Sequence, residues 1–255
     1  MNPLTPSRVL PCSACKEGSL DFPISMAFQP IIDVQSGTVF AHEALVRGVN
    51  GEGAGQVLSR VNEQNRYQFD QSCRMTAITK AAALPLPGML SINFMPNAVY
   101  KAETCIRATF ETARKLNFPL DRIIFEVTEQ EHILDLPHLV DILRAYRNMG
   151  FLTALDDFGA GYAHLNLLAD FQPDIIKLDM KLVRDIDTDG VRQIIVESML
   201  DICRRLNIRV IAEGIETAAE YATLHEMGIH LFQGYLFARP EFERLPDLRW
   251  PNDLN

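Results

Sequence analysis

The sequence is short of the residues that mark several large classes of protein. It has five cysteines in 255 residues, an odd number scattered along the chain, and a single tryptophan. Such cysteines do not indicate the disulfide framework of a small secreted domain, so we expect the reducing cytoplasm as the compartment. The apolar fraction of 47% and the charged fraction of 22% are those of an ordinary globular protein.

Long apolar runs and an excess of positive charge are missing as well. No run reaches the roughly 18 apolar residues of a membrane span, and no basic stretch followed by an apolar core indicates a signal peptide. The net charge is -9 and the pI is about 5.2, which argues against a binder of nucleic-acid polymers or of anionic membranes. An anionic substrate stays open, because bound metal ions invert the local field.

Short apolar runs alternate with helical segments along most of the chain. Strands are predicted at residues 26–34, 38–46, 89–94, 122–127, 151–155, 174–178, 208–212 and 229–232. Helices are predicted at residues 56–83, 102–116, 136–149, 162–169, 191–206 and 217–227. This alternation is typical of a parallel sheet buried on both faces, and about eight strands fit one (β/α)₈ barrel. The first two runs are spaced as a hairpin, which would make one strand of this modified TIM barrel antiparallel.

We expect three parts in the chain: an irregular leader at residues 1–23, the barrel domain at residues 24–245 and a tail at residues 246–255. The leader holds Cys12 and Cys15 at CxxC spacing. This spacing allows a zinc or redox role, but no second pair follows at zinc-ribbon spacing. Two ordinary thiols in a loose arm are the alternative.

Two adjacent carboxylates, Asp156 and Asp157, follow the fifth predicted strand, and a loop with Gly159 and Gly161 comes next. Neighbouring strand residues point to opposite faces, so two adjacent Asp side chains converge only where the strand ends. A hard divalent cation would relieve their repulsion, and one Asp can bridge two ions. The alternative is a turn in which Asp serves as turn former and helix cap.

Polar residues lie at the carboxyl ends of nearly all the predicted strands, where (β/α)₈ barrels carry their chemistry. Glu43, Asn93, Glu126 and Asp156 offer oxygen ligands for one divalent ion, and Asp156 with Asp157 and another carboxylate could hold a second. Lys177 is suited to orient a water beside a phosphate, and Glu213 could be a general base or a second-metal ligand. The set lacks His and Cys, so we expect Mg²⁺ or Mn²⁺ and phosphoryl chemistry.

A series of short motifs then covers residues 28–240. They are Phe28-Gln-Pro-Ile31, Glu43-Ala-Leu45 with Arg47, Ile92-Asn93, Glu126-Val-Thr-Glu129, Asp156-Asp-Phe-Gly-Ala-Gly-Tyr162, Ile176-Lys-Leu-Asp179, Ala212-Glu-Gly-Ile-Glu216 and Gln233-Gly-Tyr-Leu-Phe-Ala-Arg-Pro240. In this order they resemble the EAL-domain family of cyclic di-GMP phosphodiesterases. The family has a barrel with an antiparallel first strand, and its members hydrolyse cyclic di-GMP to linear pGpG.

The resemblance implies a role for each matching residue. Two Mg²⁺ or Mn²⁺ ions would be bound by Glu43, Asn93, Glu126, Asp156 and Asp157. Lys177 would contact the hydrolytic water, and Glu213 would be the base or a second-metal ligand. Cyclic di-GMP would be contacted by Gln29, Leu45, Arg47 and Gln233, with Glu216 and Gln233 supporting the site. Glu129 would hold the loop at residues 157–164, which in this family couples the site to a homodimer interface.

The sequence departs from the family pattern at three nearby places. Ala163 and His164 stand where two serines are usual, which puts loop rigidity or dimer coupling in question. Gly48 follows Arg47 where an aromatic residue is common, and residues 92–95 read Ile-Asn-Phe-Met. Two other readings stay open. One is a weakly catalytic or inactive module that acts as a cyclic di-GMP receptor or a protein-binding antirepressor. The other is an unrelated barrel enzyme with one metal and Lys177 and Glu213 as an acid–base pair.

Overall fold

The computed structural model describes residues 20–128, 135–159 and 164–251. Within these ranges eight strands close into a barrel. They are β1 (Ile24–Asp33), β2 (Thr38–Gly48), β3 (Met89–Asn93), β4 (Ile123–Thr128), β5 (Leu152–Phe158), β6 (Ile175–Leu178), β7 (Arg209–Ala212) and β8 (Leu231–Phe232). The strand order is β2-β3-β4-β5-β6-β7-β8-β1, and pairing of β1 with β2 closes the ring.

Strand β1 runs antiparallel to both of its barrel neighbours, β2 and β8, whereas β2 to β8 pair in parallel. The predicted modified TIM barrel with an antiparallel first strand is therefore confirmed. A further short strand, β9 (Glu241–Phe242), pairs antiparallel with β1. No helix among the described residues is both long and apolar enough to cross a bilayer.

The helices pack around the outside of this barrel. They are α1 (Ala54–Leu58), α2 (Arg66–Ala82), α3 (Ala102–Cys105), α4 (Arg107–Lys115), α5 (Leu136–Asn148), α6 (His164–Asp170), α7 (Met180–Val183), α8 (Gly190–Arg205) and α9 (Ala218–Glu226). Most buried apolar side chains lie in one large cluster that includes residues of both the strands and these helices. Beyond β9, Leu248 and Trp250 pack against the same cluster.

The single helix predicted at residues 56–83 is wrong, because α1 and α2 are separate helices. Two asparagine side chains take over backbone groups in the intervening turn. Asn65 accepts a hydrogen bond from the amide of Asn62 at 2.8 Å and donates one to the carbonyl of Arg60 at 2.9 Å. Asn62 accepts one from the amide of Gln64 at 2.9 Å. Asparagine offers the backbone an alternative to helical bonding in this way, which the apolar spacing alone did not reveal.

Candidate active site

A ring of polar side chains lies directly above the apolar floor of the barrel. The floor is a cluster of Ile31, Ala41, Ile124, Ala154, Ile175, Ile211 and Leu231. Because side chains alternate along a strand, the residue two positions further on faces the interior one layer higher. In the parallel strands, or directly after their last residue, these positions hold Glu43, Glu126, Asp156, Lys177, Glu213 and Gln233. In the antiparallel β1 the direction is reversed, and the residue above Ile31 is Gln29.

Lys177 stands at the centre of this ring. It is only 1% exposed, and its Nζ lies 2.6 Å from Glu213, 2.9 Å from Glu126, 3.2 Å from Asp156 and 3.3 Å from Glu43. Burial alone would lower the pKa of Lys177, but the surrounding carboxylates, Asp156 foremost, raise it well above its usual value. The ammonium group therefore stays charged and contacts carboxylates from β2, β4, β5 and the loop after β7 at one point.

The carboxylates outnumber the one cation among them, and their pKa values reflect this. Burial raises the pKa of Glu126 to about 8, although Lys177 opposes the change. Burial and the neighbouring Asp156 raise the pKa of Glu213 well above its usual range. The same two causes raise the pKa of Asp157 to about 6. Raised carboxyl pKa values of this kind mark a centre that favours additional positive charge.

Two groups of three carboxylates in this centre bring their oxygens close enough to share a metal ion. Glu43, Glu126 and Asp156 form the buried group, and Asp156, Asp157 and Glu213 form the more open one. Within each group the ligand oxygens lie within 4.8 Å of one another. Asp156 belongs to both groups, so its carboxylate is placed to bridge two cations.

Asp156 and Asp157 converge for a different reason from the one predicted. Strand β5 does not end at residue 155 but continues to Phe158. Its register with β6 shifts there, because Leu155 pairs with Ile176 and Phe158 with Leu178, so three residues of β5 face two of β6. Asp157 has φ of 54°, in the left-handed region, and its amide donates to the Asp156 carboxylate at 2.9 Å. An extra residue of this kind, a β-bulge, interrupts the alternation of side chains between the two faces of a strand. The neighbouring Asp156 and Asp157 can therefore point to the same site.

Asn93 lies beside the buried group of carboxylates. Its Nδ2 donates to Glu43 at 2.8 Å, while its buried Oδ1 has no hydrogen-bond partner. Buried side-chain oxygens normally have a partner, so this one fits a metal ligand. Together with the surplus of carboxylates, the orphaned oxygen makes the donor set suitable for hard divalent cations such as Mg²⁺, Mn²⁺ or Ca²⁺.

Gln233 and Gln29 link the centre to strand β1. Gln233 Nε2 donates to Glu43 at 2.7 Å and to Gln29 Oε1 at 3.3 Å. Gln29 Nε2 in turn donates to the carbonyl of Ala238 at 3.3 Å. Both glutamines line a cavity of about 260 Å³ that also contains Asp157, Lys177, Glu213, Glu216 and Tyr235.

The other predicted substrate residues lie to one side of that cavity. Leu45 lines a second, mainly apolar cavity of about 530 Å³, which shares Glu43, Asp156 and Asp157 with the first. Arg47 donates to the carbonyl of Val46 at 2.8 Å, and burial lowers its pKa although Tyr235 and Glu43 oppose the change.

Glu216 lines the smaller cavity and pairs with Arg184 at 3.0 Å. Glu129, Ala163, Cys12 and Cys15 lie outside the described residues, as does half of the loop expected to couple the site to a dimer.

Several residues near the site were missed by the sequence reasoning. Ser91 Oγ donates to Glu126, and it stands two positions before Asn93 on the same face of β3, a signal that alternation offered. Asp179 lines the smaller cavity and caps α7 by accepting from the amide of Lys181; it ends a motif already noted. Arg184 approaches only through tertiary packing, and no sequence spacing indicated it. Glu220 stands three residues after Thr217, a capping-box spacing that signals a helix start but not the contact with Arg184.

Comparison with known proteins agrees with a barrel that carries an acidic centre suited to divalent cations. The model of the family described as EAL domain matches residues 21–240. A standalone EAL protein from Vibrio cholerae O395, solved with cyclic di-GMP bound, is 53% identical, with a TM-score of 0.88 over 91% of this chain and 98% of that one. BlrP1 from Klebsiella pneumoniae, solved with manganese and cyclic di-GMP, is 36% identical, with a TM-score of 0.83 over 90% of this chain and 60% of BlrP1.

Curated relatives agree with this assignment but are longer proteins. The blue light- and temperature-regulated antirepressor BluF of Escherichia coli K12 is 32% identical over 226 residues, 88% of this chain and 56% of BluF. The cyclic di-GMP phosphodiesterase PdeR of the same organism is 39% identical over 138 residues, 54% of this chain and 21% of PdeR. The chain thus spans about half or less of these relatives. Since the family model covers most of the chain, the chain belongs to the EAL domain family.

Proposed function

We propose that this chain is a metal-dependent phosphodiesterase that hydrolyses cyclic di-GMP to linear pGpG. The observation that carries the proposal is the presence of two sets of three carboxylates, each able to hold a metal ion, that have Asp156 in common. A paired, oxygen-rich site of this kind suits phosphodiester hydrolysis. Cyclic di-GMP is the ligand in the similar Vibrio and Klebsiella structures, and PdeR is named as an enzyme acting on it.

Two Mg²⁺ or Mn²⁺ ions are the proposed cofactors. Glu43, Asn93, Glu126 and Asp156 would hold one ion, and Asp156 with Asp157 the other, which leaves Glu213 as the base. The orphaned Oδ1 of Asn93 and the excess of carboxylates over Lys177 support this assignment. When bound, such ions supply Lewis-acid charge to the phosphate and lower the pKa of a water molecule.

The side chains themselves have three tasks in this mechanism. Lys177 holds four carboxylates around Nζ, those of Glu43, Glu126, Asp156 and Glu213. It also donates a hydrogen bond to the attacking water. The Glu213 carboxylate accepts a proton from that water, as a general base does. Water oxygen then bonds to phosphorus while the bond from phosphorus to O3′ breaks, so that O3′ takes a proton and a 5′-phosphate remains.

Substrate binding is assigned to residues on both sides of the carboxylate centre. Gln29 and Gln233 offer amide groups in the smaller cavity, and Leu45 offers an apolar wall in the larger one. Arg47 interacts electrostatically with Glu43 and Tyr235 of this centre, and its positive charge complements a phosphate of the dianionic substrate. Glu216 and Glu129 would support the site from the loops after β7 and β4.

The proposal extends to compartment, assembly and domain limits. The cytoplasm is proposed from the scattered cysteines, and a homodimer is proposed through the loop and helix that follow Asp157. The leader at residues 1–23, the barrel domain at 24–245 and the tail at 246–255 are proposed as the three parts of the chain. A catalytically weak cyclic di-GMP receptor or antirepressor is the second candidate, which the similarity to BluF favours.

Chromatography of the products from cyclic di-GMP and Mn²⁺ tests the proposal. Wild type and the exposed control Glu226→Gln should both form pGpG, and Glu213→Gln should form at least 100-fold less, in line with loss of a general base. If wild type binds the nucleotide by calorimetry but forms no pGpG, the receptor is correct. If Glu213→Gln keeps full turnover, Glu213 is not the base.

A further inference from the structure

The loop at residues 213–217, between β7 and α9, carries both Glu213 and Glu216. On one side it is fixed by the neighbouring strands. The amide of Glu213 donates to the carbonyl of Leu178 at 3.3 Å. The amide of Ile215 donates to the carbonyl of Gln233 at 3.2 Å, and the carbonyl of Ile215 accepts from the amide of Leu236 at 3.0 Å. These bonds connect residues 213 and 215 to the segments at the ends of β6 and β8. The amides of Glu216 and Thr217, on the outer side of the loop, have a different partner.

A buried carboxylate, Glu220, holds that outer side. It is 1% exposed, and its Oε2 accepts from the amides of Glu216 at 3.0 Å and Thr217 at 3.1 Å. Its Oε1 accepts from the amide of Asp185 at 3.2 Å and from Arg184 at 3.3 Å. The bond from the Thr217 amide belongs to the capping box of α9, but the Oε1 bonds reach a different loop, the one that follows α7.

Arg184 makes the same connection from the other direction. Its guanidinium pairs with Glu216 at 3.0 Å and with Glu220 at 3.3 Å, and reaches the carbonyl of Gly214 at 3.5 Å. Its own carbonyl accepts from Arg192 at 2.9 Å, at the start of α8. Arg184 therefore contacts both Gly214, the residue directly after Glu213, and the carboxylate of Glu216.

We propose that Arg184 and Glu220 are positioning residues that fix the loop at 213–217 and thereby aim Glu213 at the carboxylate centre. Glu213 lies 2.6 Å from Lys177, and a misplacement of about 1 Å at such a group can cost on the order of 100-fold in rate. The catalytic consequence rests on the proposed phosphodiesterase activity, whereas the anchoring of the loop does not.

Steady-state kinetics with cyclic di-GMP and Mn²⁺ test the catalytic part. Arg184→Met should lower kcat about 10-fold with KM within twofold of wild type, and Arg184→Lys, which keeps the charge, should recover kcat to within about threefold. The matched control Arg107→Met, in an exposed pair on α4, should match wild type. A folded Arg184→Met with unchanged kcat overturns the proposal. So does a raised KM with unchanged kcat, which would make Arg184 a substrate-binding residue.

Hydrogen exchange tests the anchoring without any activity. In Glu220→Gln, an isosteric change, one of the two carboxylate oxygens becomes an NH₂ group facing donors, so the amides of Glu216, Thr217 or Asp185 should exchange at least 10-fold faster than in wild type. Unchanged exchange at all three amides overturns the proposal. If wild type shows no turnover, the proposed function fails, and exchange still decides whether the bridge anchors the loop.

Discussion

Replacing the central cation is the most informative perturbation of the site. Lys177→Met keeps the length of the side chain but leaves the carboxylates of Glu43, Glu126, Asp156 and Glu213 without the ammonium group that contacts all of them. Removing one partner of a buried ion pair costs about 3–5 kcal/mol, because the other charge is left uncompensated. For a chain of this size each kcal/mol shifts Tm by roughly 2–4 °C, so we expect Tm to fall by roughly 6–20 °C at pH 8.

Thermal unfolding of metal-stripped protein, followed by circular dichroism, measures this loss. Lys115→Met, an exposed site on α4, is the control and should keep the wild-type Tm within about 1 °C, as most surface substitutions do. Addition of Mn²⁺ should restore much of the stability of Lys177→Met, because a cation bound at 100 times its Kd contributes about 2.7 kcal/mol. A Tm for Lys177→Met that equals the wild-type value at pH 8 would refute the view that Lys177 holds the carboxylates together.

Three further predictions concern the same site. Asn93→Ala should weaken Mn²⁺ binding about 10- to 100-fold in calorimetry, since it removes the orphaned oxygen; unchanged affinity would exclude Asn93 as a ligand. In metal-stripped protein, Tm should fall as pH rises from about 4.5 to about 8, because the pKa of Glu126 is raised in the folded state and its ionisation there destabilises the fold. Glu126→Gln should make the plot of Tm against pH flatter, and a plot as steep as that of wild type would contradict the assignment to Glu126. Gly214→Ala should lower stability by about 1–3 kcal/mol and reduce turnover, because Gly214 has φ of 66° and an added Cβ would lie 2.5 Å from Cβ of Met180; a fully active, stable variant would show that the loop yields freely.

The barrel and the polar ring could be predicted because both depend on a period of two along short strands. Each parallel strand places one inward polar residue two positions beyond an apolar one, and the carboxyl ends of parallel strands meet at one end of the barrel. Glu43, Glu126 and Glu213 followed from that rule together with the strand assignment. The family motifs then assigned Gln29 and Arg47 to the substrate, a role that periodicity does not indicate.

The remaining features depend on contacts that local patterns do not encode. The extra residue at Asp156 and Asp157 arises from the pairing of β5 with β6, and the left-handed conformation of Asp157 is visible only in the backbone. The central position of Lys177 requires the closed ring of strands. Arg184 and Glu220 are separated by 36 residues, and their contact exists only once the loop after α7 has packed against the first turn of α9.

Titration of metal-stripped protein with Mn²⁺ tests the central claim most directly. Bound Mn²⁺ would be counted by electron paramagnetic resonance, and pGpG formed from cyclic di-GMP would be measured in the same samples. The account predicts two bound ions per chain, no pGpG before metal is added, and loss of both binding events in Asp156→Asn, because Asp156 belongs to both carboxylate groups. Turnover by the stripped protein, or saturation at one ion per chain with full activity, would contradict it.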